Sequence, residues 1–436
     1  MKTKSIASSL FIGMMISLSI IFFGGCHKED LGGAEISGLT PDTDNGGLTL
    51  PDGFRGISVA DATGRARHLA VNTNGDIYIK LAELKNGNGI LVLKDTDNDG
   101  RTETETGFGN FAGTGIAIKD GYLYATSDDA IYRYTLNANN EIDNTTSPEI
   151  IASGLTRGAE HSSKSITLDN DKNIYVNIGA PSNSCQVNDR VPGSLGQDPC
   201  PILTNAGGIW QFKADQLNQS QDQGTRYATG LRNVVGIDWN NSVNELYVMQ
   251  HGRDQLSFLF PQLYTDSMSA ELPAEEFFRV NQGDDFGWPY CYYDQMQGKK
   301  VLAPEYGGDG TTTGRCDGVE GPIMAFPGHW APNSLLFYTG DQFPDRYKNG
   351  AFIAFHGSWN RAPLRQGGYF VLFVPMNNGV PSGDWEMFAQ GFPGVDVITE
   401  PDQAVYRPMG LAQGPDGSLY ISDSEKGKIW RIIFKG

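Results

Sequence analysis

The chain has 436 residues, 39% of them hydrophobic and 55 of them glycine, so it can bury a large core in one or two turn-rich domains. Its formal net charge of −18 at pH 7 argues against a nucleic-acid partner, because phosphate recognition needs a basic surface. An acidic balance otherwise indicates only a soluble, solvated surface.

Residues 1–25 are predicted to be a targeting segment. Two lysines near the start precede a mostly apolar run from Ile6 to Phe23, and two glycines stand directly before Cys26. This arrangement resembles a bacterial lipoprotein signal, in which the cysteine is lipidated after cleavage. Cys26 is therefore the predicted lipidation site and membrane anchor. An ordinary secretory signal or membrane anchor with an incidental cysteine is the alternative.

Residues 26–50 are predicted to form a flexible tether, because the stretch after Leu31 is rich in Gly, Thr and Asp. Directly after the cysteine, His27-Lys-Glu-Asp30 resembles a surface-export signal of some bacteria. The expected location is the outer membrane, on its periplasmic face or at the cell surface. Residues 51–436 remain as the folded domain.

One pattern recurs along this domain: an apolar strand, a turn with Gly, Asn or Asp, and a second strand that starts with Ile or Leu and Tyr. Clear copies span 69–79, 115–124, 165–176, 236–248 and 410–421, and a looser copy spans 334–355. Each copy predicts a β-hairpin. Repeats at roughly 45–70 residues predict an all-β fold, a six-bladed β-propeller with one copy per blade. A β-sandwich is the alternative, and it explains the tandem spacing less well.

A possible metal loop lies between the first two copies. Asp95, Asp97 and Asp99 alternate before Gly100, as at the start of a calcium-binding loop. The twelfth position holds Thr106 instead of Glu, so a complete EF-hand is not expected. The segment predicts a structural Ca²⁺ site, and an Asx-rich hairpin turn is the alternative.

Polar residues stand next to the repeat strands. His161 lies just before the third copy, and Arg232-Asn233 lies just before the fourth. A neutral imidazole can remove a hydroxyl proton, and an arginine can bind an anion or stack on a flat ring. The alternatives are a structural histidine and a pair that stabilises a turn.

Three later segments add candidates at strand ends. Gly252-Arg253-Asp254 follows a strand and can offer backbone carbonyls and a carboxylate to Ca²⁺. Arg361 ends the motif that begins at His356, and Arg407 precedes the last copy. Single arginines at such places are usually surface residues. Several arginines converging on one mouth would make an anion site in an otherwise acidic protein.

Four cysteines remain in the exported part of the chain, and their even number predicts disulfides. The local pairs Cys185–Cys200 and Cys291–Cys316 are the simplest of three possible connectivities. A zinc site is the alternative, but the chain has no C-x-x-C motif and no histidine beside these cysteines. C-x-x-C-H is absent too, so no covalently attached c-type haem is expected.

The ordered set of motifs resembles the soluble pyrroloquinoline-quinone (PQQ) dependent glucose/sorbosone dehydrogenases, the aldose sugar dehydrogenase-like family. The resemblance covers about residues 50–436. It is carried by Glu160-His161, Gly230-Leu-Arg-Asn233, His251-Gly-Arg-Asp254, Phe286-Gly-Trp-Pro289, Phe355-His-Gly-Ser-Trp-Asn-Arg361 and Arg407-Pro-Met-Gly410. It implies a six-bladed propeller with PQQ at the wide mouth on one Ca²⁺.

The resemblance also implies roles for single residues. His161 matches the general base, which removes the hydroxyl proton while hydride passes from the sugar C1 to the quinone. Arg232 matches the arginine near the reacting quinone carbonyls, and Asn233 matches its cofactor-contacting neighbour. Arg407 matches an arginine that binds a cofactor carboxylate. PQQ has three carboxylates, so these basic groups suit it.

The implied calcium ligands are the backbone carbonyls of Gly252 and Arg253, with Asp254 beside them. Two positions depart from the glucose enzymes of the family. Glu160 replaces an aspartate before the catalytic histidine, and the late-blade lysine on the cofactor is missing. Either Arg361 replaces that lysine or the site is altered, and the pattern looks closer to the sorbosone branch.

The expected activity is oxidation of an aldose or sorbosone-like sugar with PQQ and Ca²⁺, with electrons passed to a separate acceptor. A calcium-dependent sugar lactonase is one alternative, but it leaves the arginines unexplained. A non-catalytic propeller that binds carbohydrate or a partner protein is the other.

Overall fold

The computed structural model describes residues 38–436 and shows a six-bladed β-propeller with almost no helix. Each blade contains a four-stranded antiparallel sheet. The predicted fold class and number of blades are therefore confirmed. The predicted signal segment, the lipidation site Cys26 and the first part of the predicted tether lie outside the described residues. Between residues 38 and 436, no helix is long and apolar enough to cross a membrane.

The first fourteen strands build the first three blades and the closing strand of the last one. They are β1 (Phe54–Ala60), β2 (Ala66–Val71), β3 (Ile77–Lys85), β4 (Asn88–Lys94), β5 (Thr104–Phe108), β6 (Ile116–Lys119), β7 (Tyr122–Thr126), β8 (Ala130–Thr135), β9 (Glu149–Ser153), β10 (Ile166–Leu168), β11 (Asn173–Ile178), β12 (Gly208–Lys213), β13 (Gln219–Ser220) and β14 (Thr225–Thr229).

The remaining strands build the other three blades and two small hairpins, β18–β19 and β24–β25. They are β15 (Val234–Asn240), β16 (Glu245–Gln250), β17 (Glu275–Val280), β18 (Cys291–Asp294), β19 (Lys299–Leu302), β20 (Met324–Phe326), β21 (Pro332–Phe337), β22 (Ala351–Phe355), β23 (Phe370–Val374), β24 (Met376–Asn377), β25 (Val380–Pro381), β26 (Glu386–Ala389), β27 (Pro408–Gln413), β28 (Leu419–Asp423) and β29 (Ile429–Phe434). Two short helices, α1 (Leu256–Leu259) and α2 (Asp266–Glu271), lie between β16 and β17.

The blades follow one another around a ring. Their strand orders are β2-β3-β4-β5, β6-β7-β8-β9, β10-β11-β12-β14, β15-β16-β17-β20, β21-β22-β23-β26 and β27-β28-β29-β1. The innermost strands β2, β6, β10, β15, β21 and β27 contact their neighbours and complete the ring. In the last blade, β1 from the start of the domain pairs with β29 from its end. The ring is therefore closed by strands that are far apart in the chain.

The sequence repeat corresponds to the two inner strands of each blade, and its tyrosine explains why it recurs. Each tyrosine is buried and packs in the cluster shared with the neighbouring blade. These residues are Tyr78, Tyr124, Tyr175, Tyr247 and Tyr420. In the looser copy, Phe352 is the buried aromatic residue on the second strand. The repeat thus marks one position between neighbouring blades where a buried aromatic residue is needed, and each of the six blades has one there.

The structure differs from the prediction for the end of the tether. Leu48 is buried in the cluster between the last two blades, and Leu39 is buried against Ile57 and Ile433. The Asp42 carboxylate accepts a hydrogen bond of 2.7 Å from the backbone N–H of Ser58. Residues 39–50 are therefore packed onto the propeller, because two leucines in a polar segment find apolar partners there.

Both local disulfides are present, Cys185–Cys200 and Cys291–Cys316, with Cα–Cα distances of 6.2 and 5.8 Å. The first closes the long connection between β11 and β12. The second joins the start of β18 to the segment after the β18–β19 hairpin. Of the three possible connectivities, the simplest one is confirmed.

Candidate active site

A cavity of about 430 Å³ lies at one end of the propeller. It is lined by residues that precede inner strands and by residues that follow the second strands of blades. Because neighbouring strands of a blade are antiparallel, those two kinds of strand end meet at the same end of the ring. The fold therefore gathers in one place the polar positions that the sequence scatters over the whole domain.

Most of the predicted site residues meet in this cavity. The structure places six of them in its wall: His161, Arg232, Asn233, Gly252, Asp254 and Arg407. Arg253 turns its side chain away from the cavity and forms a buried ion pair of 2.5 Å with Glu305. That orientation leaves only the backbone of Arg253 for the predicted calcium contact.

Arg361 is not brought to the cavity. Its guanidinium is buried, pairs with Glu271 at the end of α2, and donates to the carbonyl of Gly328 at 2.8 Å. His356, five residues earlier in the same motif, lines the cavity instead. The expectation that Arg361 replaces the family's lysine is therefore corrected, because a helix that is distant in sequence captures its charge.

His161 has an unusual backbone conformation, and a glycine packs closely against it. Its φ of 53° lies in the left-handed region, which non-glycine residues rarely adopt. A Cβ on Gly179 would lie 2.7 Å from the His161 Cβ, so only glycine fits there. The ring Nδ1 lies 2.6 Å from the carbonyl oxygen of Ala180. Since a carbonyl can only accept, Nδ1 donates and Nε2 is left as a free acceptor.

The electrostatic surroundings keep this imidazole neutral. Burial lowers the pKa of His161 to about 3, and the positive charge of Arg232 acts in the same direction. A neutral imidazole with an unprotonated Nε2 can accept a proton from a hydroxyl. The geometry leaves Nε2 of His161 free to accept a proton, and its role as a general base stays a prediction.

Arg232 is buried and holds the loop after β16 in place. Its guanidinium pairs with Asp254 at 2.7 Å and donates to the carbonyl of Gly252 at 2.8 Å. Burial alone would raise the pKa of Asp254, but Arg232 and other nearby cations hold it below its usual range. The backbone carbonyl of Arg232 also accepts from the N–H of Ala180, the residue that orients His161. The predicted base and the predicted calcium loop are thus two parts of one network.

A second arginine in this network, Arg190, was missed from the sequence. It binds both oxygens of Glu160 at 2.8 and 2.9 Å and also reaches Asp254 at 3.1 Å. Arg190 lies inside the disulfide loop Cys185–Cys200, away from every repeat strand. No sequence signal singles it out, because its partners come together only in the folded chain.

Arg67 was also missed, although a signal for it exists. It stands just ahead of the apolar part of an inner strand, as Arg232 and Arg407 do. Its guanidinium lines the cavity and donates to Thr114 at 3.1 Å and Ser163 at 3.0 Å. Three arginines therefore converge on one cavity in an acidic protein. This is the arrangement that the sequence predicts for an anion site.

The histidines form a further group that sequence reasoning did not find. His161, His251, His329 and His356 line the cavity, and His68 bonds to the backbone of a lining residue. All five pKa values are lowered, in each case chiefly by burial. The chain has only six histidines, so their gathering here was detectable in principle from their rarity and from their positions at strand ends.

The other predicted calcium site, the loop from Asp95 to Asp99, lies between β4 and β5 and does not line the cavity. Asp95, Asp97, Asp99 and Glu103 each offer an oxygen, and these oxygens lie within 4.8 Å of one another. Glu103 is a fourth carboxylate that the sequence pattern did not identify. Backbone N–H groups also donate to the loop carboxylates, as in an Asx turn. Both sequence interpretations fit this geometry, and the structural Ca²⁺ site stays a prediction.

Comparison with known proteins shows which family this chain belongs to. A protein-family model described as TrAA12-like matches residues 48–434. A PQQ-dependent sugar dehydrogenase of Hypocrea jecorina (strain QM6a) is 21% identical over 455 residues, covering 96% of this chain and 95% of that protein.

Two solved structures share the fold, each with a TM-score of 0.72. The calcium structure of a Trichoderma reesei carbohydrate-active enzyme of family AA12 is 19% identical, covering 92% of this chain and 99% of its own. The holo form of the pyranose dehydrogenase PQQ domain from Coprinopsis cinerea is 18% identical, covering 88% of this chain and 97% of its own. At these identities the likeness establishes the propeller fold.

Proposed function

Because this chain belongs to the TrAA12-like family, we propose that it is a PQQ- and Ca²⁺-dependent sugar dehydrogenase. One observation carries the proposal: a neutral, oriented His161 shares a cavity with Arg67, Arg232 and Arg407. A base alone would suit many hydrolases. A base beside three cations suits the oxidation of a sugar by a cofactor that carries several carboxylates.

The cavity residues fit both groups. Arg67 and Arg407 offer positive charge to the carboxylates of PQQ, while Arg232 is paired with Asp254. Asn333 is only 5% exposed, lines the same cavity, and its Oδ1 accepts no hydrogen bond, so it can receive an N–H donor of a bound ligand. Carbonyl and carboxylate oxygens at Gly252, Arg253 and Asp254 are the hard ligands that Ca²⁺ prefers.

The residues of the chain then have separate tasks. When bound, PQQ supplies a quinone that takes up hydride from the sugar C1, and Ca²⁺ polarises it. His161 receives the hydroxyl proton at Nε2, while its Nδ1 stays fixed on Ala180. Arg232 holds Asp254 and the carbonyl of Gly252, so the calcium loop and the base keep a fixed distance.

The substrate is an aldose or a sorbosone-like sugar, and the electrons pass to a separate acceptor. Dye-linked oxidation of an aldose panel tests this, with PQQ plus Ca²⁺ and with each omitted. Turnover that requires both is the expected result. If no sugar is oxidised and the PQQ spectrum does not change on mixing, the proposal is overturned, and the lactonase or binding alternatives become the better explanations.

We also propose that the enzyme is held at the outer membrane through a lipid on Cys26. The signal-like segment before this cysteine supports the proposal. Fatty-acid labelling of the native chain and of Cys26→Ser tests it. Label on the native chain and none on the variant is expected, and equal labelling of both would remove Cys26 from the proposal.

A further inference from the structure

We propose that Trp359 and Asn360 form the subsite that holds the pyranose ring of the sugar. This inference rests on the proposed function and names the residues that select its substrate. Both residues lie in the segment after β22, and both line the cavity that contains His161. The two side chains offer different chemistry, an aromatic face and an amide oxygen.

The side-chain oxygen of Asn360 is a hydrogen-bond acceptor that receives no donor from the protein. Its Nδ2 donates to Asp254 at 2.9 Å, which fixes the orientation of the amide because a carboxylate can only accept. Its Oδ1 is buried and accepts no hydrogen bond. Buried polar atoms are nearly always paired in native proteins. A hydroxyl group of a ligand in the cavity is the donor that Asn360 lacks.

Trp359 is unusually exposed for its size and type. Its exposed fraction is 53%, although it belongs to the wall of a cavity. An indole combines a large apolar face with little conformational freedom, so it can stack on the C–H face of a pyranose ring. A neutral, hydroxylated ring is the ligand that uses both Trp359 and the neighbouring amide.

The segment that carries this pair is fixed on both sides. The N–H of Ser358 donates to the carbonyl of Gly367 at 2.8 Å, and its hydroxyl donates to Gln366 at 2.6 Å. On the other side, the buried guanidinium of Arg361 anchors the chain to the end of α2. The backbone on both sides of Trp359 is therefore held by hydrogen bonds and an ion pair, as a preformed subsite requires.

The subsite is connected to the catalytic network through one carboxylate. Asp254 accepts from Asn360 at 2.9 Å and from Arg232 at 2.7 Å. Arg190 joins the same carboxylate to Glu160, the neighbour of His161. A ring bound by Trp359 and Asn360 thus lies in the same cavity as the base and shares its hydrogen-bond network.

Steady-state kinetics of the PQQ- and Ca²⁺-loaded enzyme test the inference. Trp359→Ala should raise KM for pyranoses by ~10-fold with kcat within ~2-fold, and Trp359→Phe should restore most of the loss. Phe258→Ala is the matched control, because Phe258 is 58% exposed and does not line the cavity. Unchanged KM in Trp359→Ala, or an equal rise in the control, would overturn the stacking role.

A panel of deoxy sugars tests Asn360. The native enzyme should lose ~10-fold in kcat/KM on one deoxy analogue, because that analogue leaves Oδ1 without its donor. Asn360→Ala should be ~10-fold slower on the parent sugar and should no longer distinguish it from that analogue. If Asn360→Ala keeps the native preference across the panel, the amide does not contact the sugar.

Binding without turnover separates this inference from the proposed function. Saturation-transfer NMR with methyl α-glucopyranoside, which has no free C1 hydroxyl, should show binding to the native protein and a loss of signal in Trp359→Ala. Binding of this kind without oxidation of any sugar would support the subsite and overturn the dehydrogenase. No binding to the native protein, or equal binding to both proteins, would overturn the subsite.

Discussion

The cavity and the loop from Asp95 to Asp99 are two predicted calcium sites with opposite origins. The loop collects three carboxylates within five consecutive residues and is largely exposed. The cavity collects residues from Arg67 to Arg407, and most of its charged groups are buried. Three carboxylates in a short loop can meet without any fold. A site assembled from five of the six blades exists only after the ring is complete, so its single residues look unremarkable in the sequence.

The two regions also differ in the charge that they can stabilise. The cavity holds three arginines and neutral histidines in a protein whose formal net charge is −18. Burial lowers the pKa of His251 to about 4, so this ring adds no positive charge near neutral pH. The loop offers only carboxylates. An anionic cofactor therefore suits the cavity, and only a cation suits the loop.

The largest expected effect is on kcat, and it distinguishes the cavity from the loop. His161→Ala should lower kcat by ~10²–10⁴-fold, because the hydroxyl proton loses its acceptor, while PQQ binding persists. Dye-linked turnover and the PQQ absorption spectrum measure the two properties. Asp97→Asn in the loop is the control and should leave kcat unchanged. Full activity of His161→Ala would remove this residue from the mechanism.

Arg190 should have the next largest effect. Arg190→Gln leaves Glu160 without its ion pair and Asp254 with one fewer, so kcat/KM should fall by ~10–100-fold through misplacement of the base. Arg315→Gln is the matched control, because Arg315 forms an exposed 3.0 Å ion pair with Asp198 in the same disulfide loop. Equal losses in both variants would indicate general loosening of the loop.

A pH titration should show a smaller but distinct effect. The pKa of His161 is lowered to about 3, so its neutral form exists above that pH and is lost only below it. In the PQQ-free protein, the His161 ring should stay neutral at pH 5, where an ordinary histidine is mostly protonated. Ring NMR signals assigned by comparison with His161→Ala measure this. Protonation with a midpoint near 6.5 would contradict the stated burial.

The smallest expected effect belongs to the loop. If it binds Ca²⁺, the Ca²⁺-induced rise in Tm should be ~1–3 °C smaller in Asp97→Asn than in the native protein, with kcat unchanged. Calorimetric scans with Ca²⁺ and with chelator measure the difference. If Ca²⁺ raises the Tm of the native protein and of Asp97→Asn by the same amount, the Asx-turn interpretation is favoured.

The fold was largely predictable, because its signal repeats. The buried aromatic position on the second strand occurs in every blade, and each copy supports the others. The disulfides were predictable from spacing and compartment. Leu39 and Leu48 show the limit of composition, since two apolar residues in a polar stretch were enough to pack it onto the propeller.

Site residues were predictable where they stand at a strand end. They were unpredictable where a partner that is distant in sequence decides the position of the side chain. His161, Arg232 and Arg407 belong to the first kind. Arg361 has the right residue type, but Glu271 on α2 binds it, and His356 lines the cavity instead. Arg190 acts through contacts with Glu160 and Asp254, which no local pattern encodes.

The pairing of β1 with β29 also sets an order of events during synthesis. Arg67 belongs to the first blade and Arg407 to the last, and the carbonyl of Arg67 accepts a 2.6 Å hydrogen bond from Ser422 on β28. That seam cannot form until the final strands have left the ribosome. Earlier blades can assemble while the chain is still growing. The cavity for the cofactor is therefore among the last parts of the molecule to be completed, and a chain cut short before the last blade lacks the part of its wall that Arg407 forms.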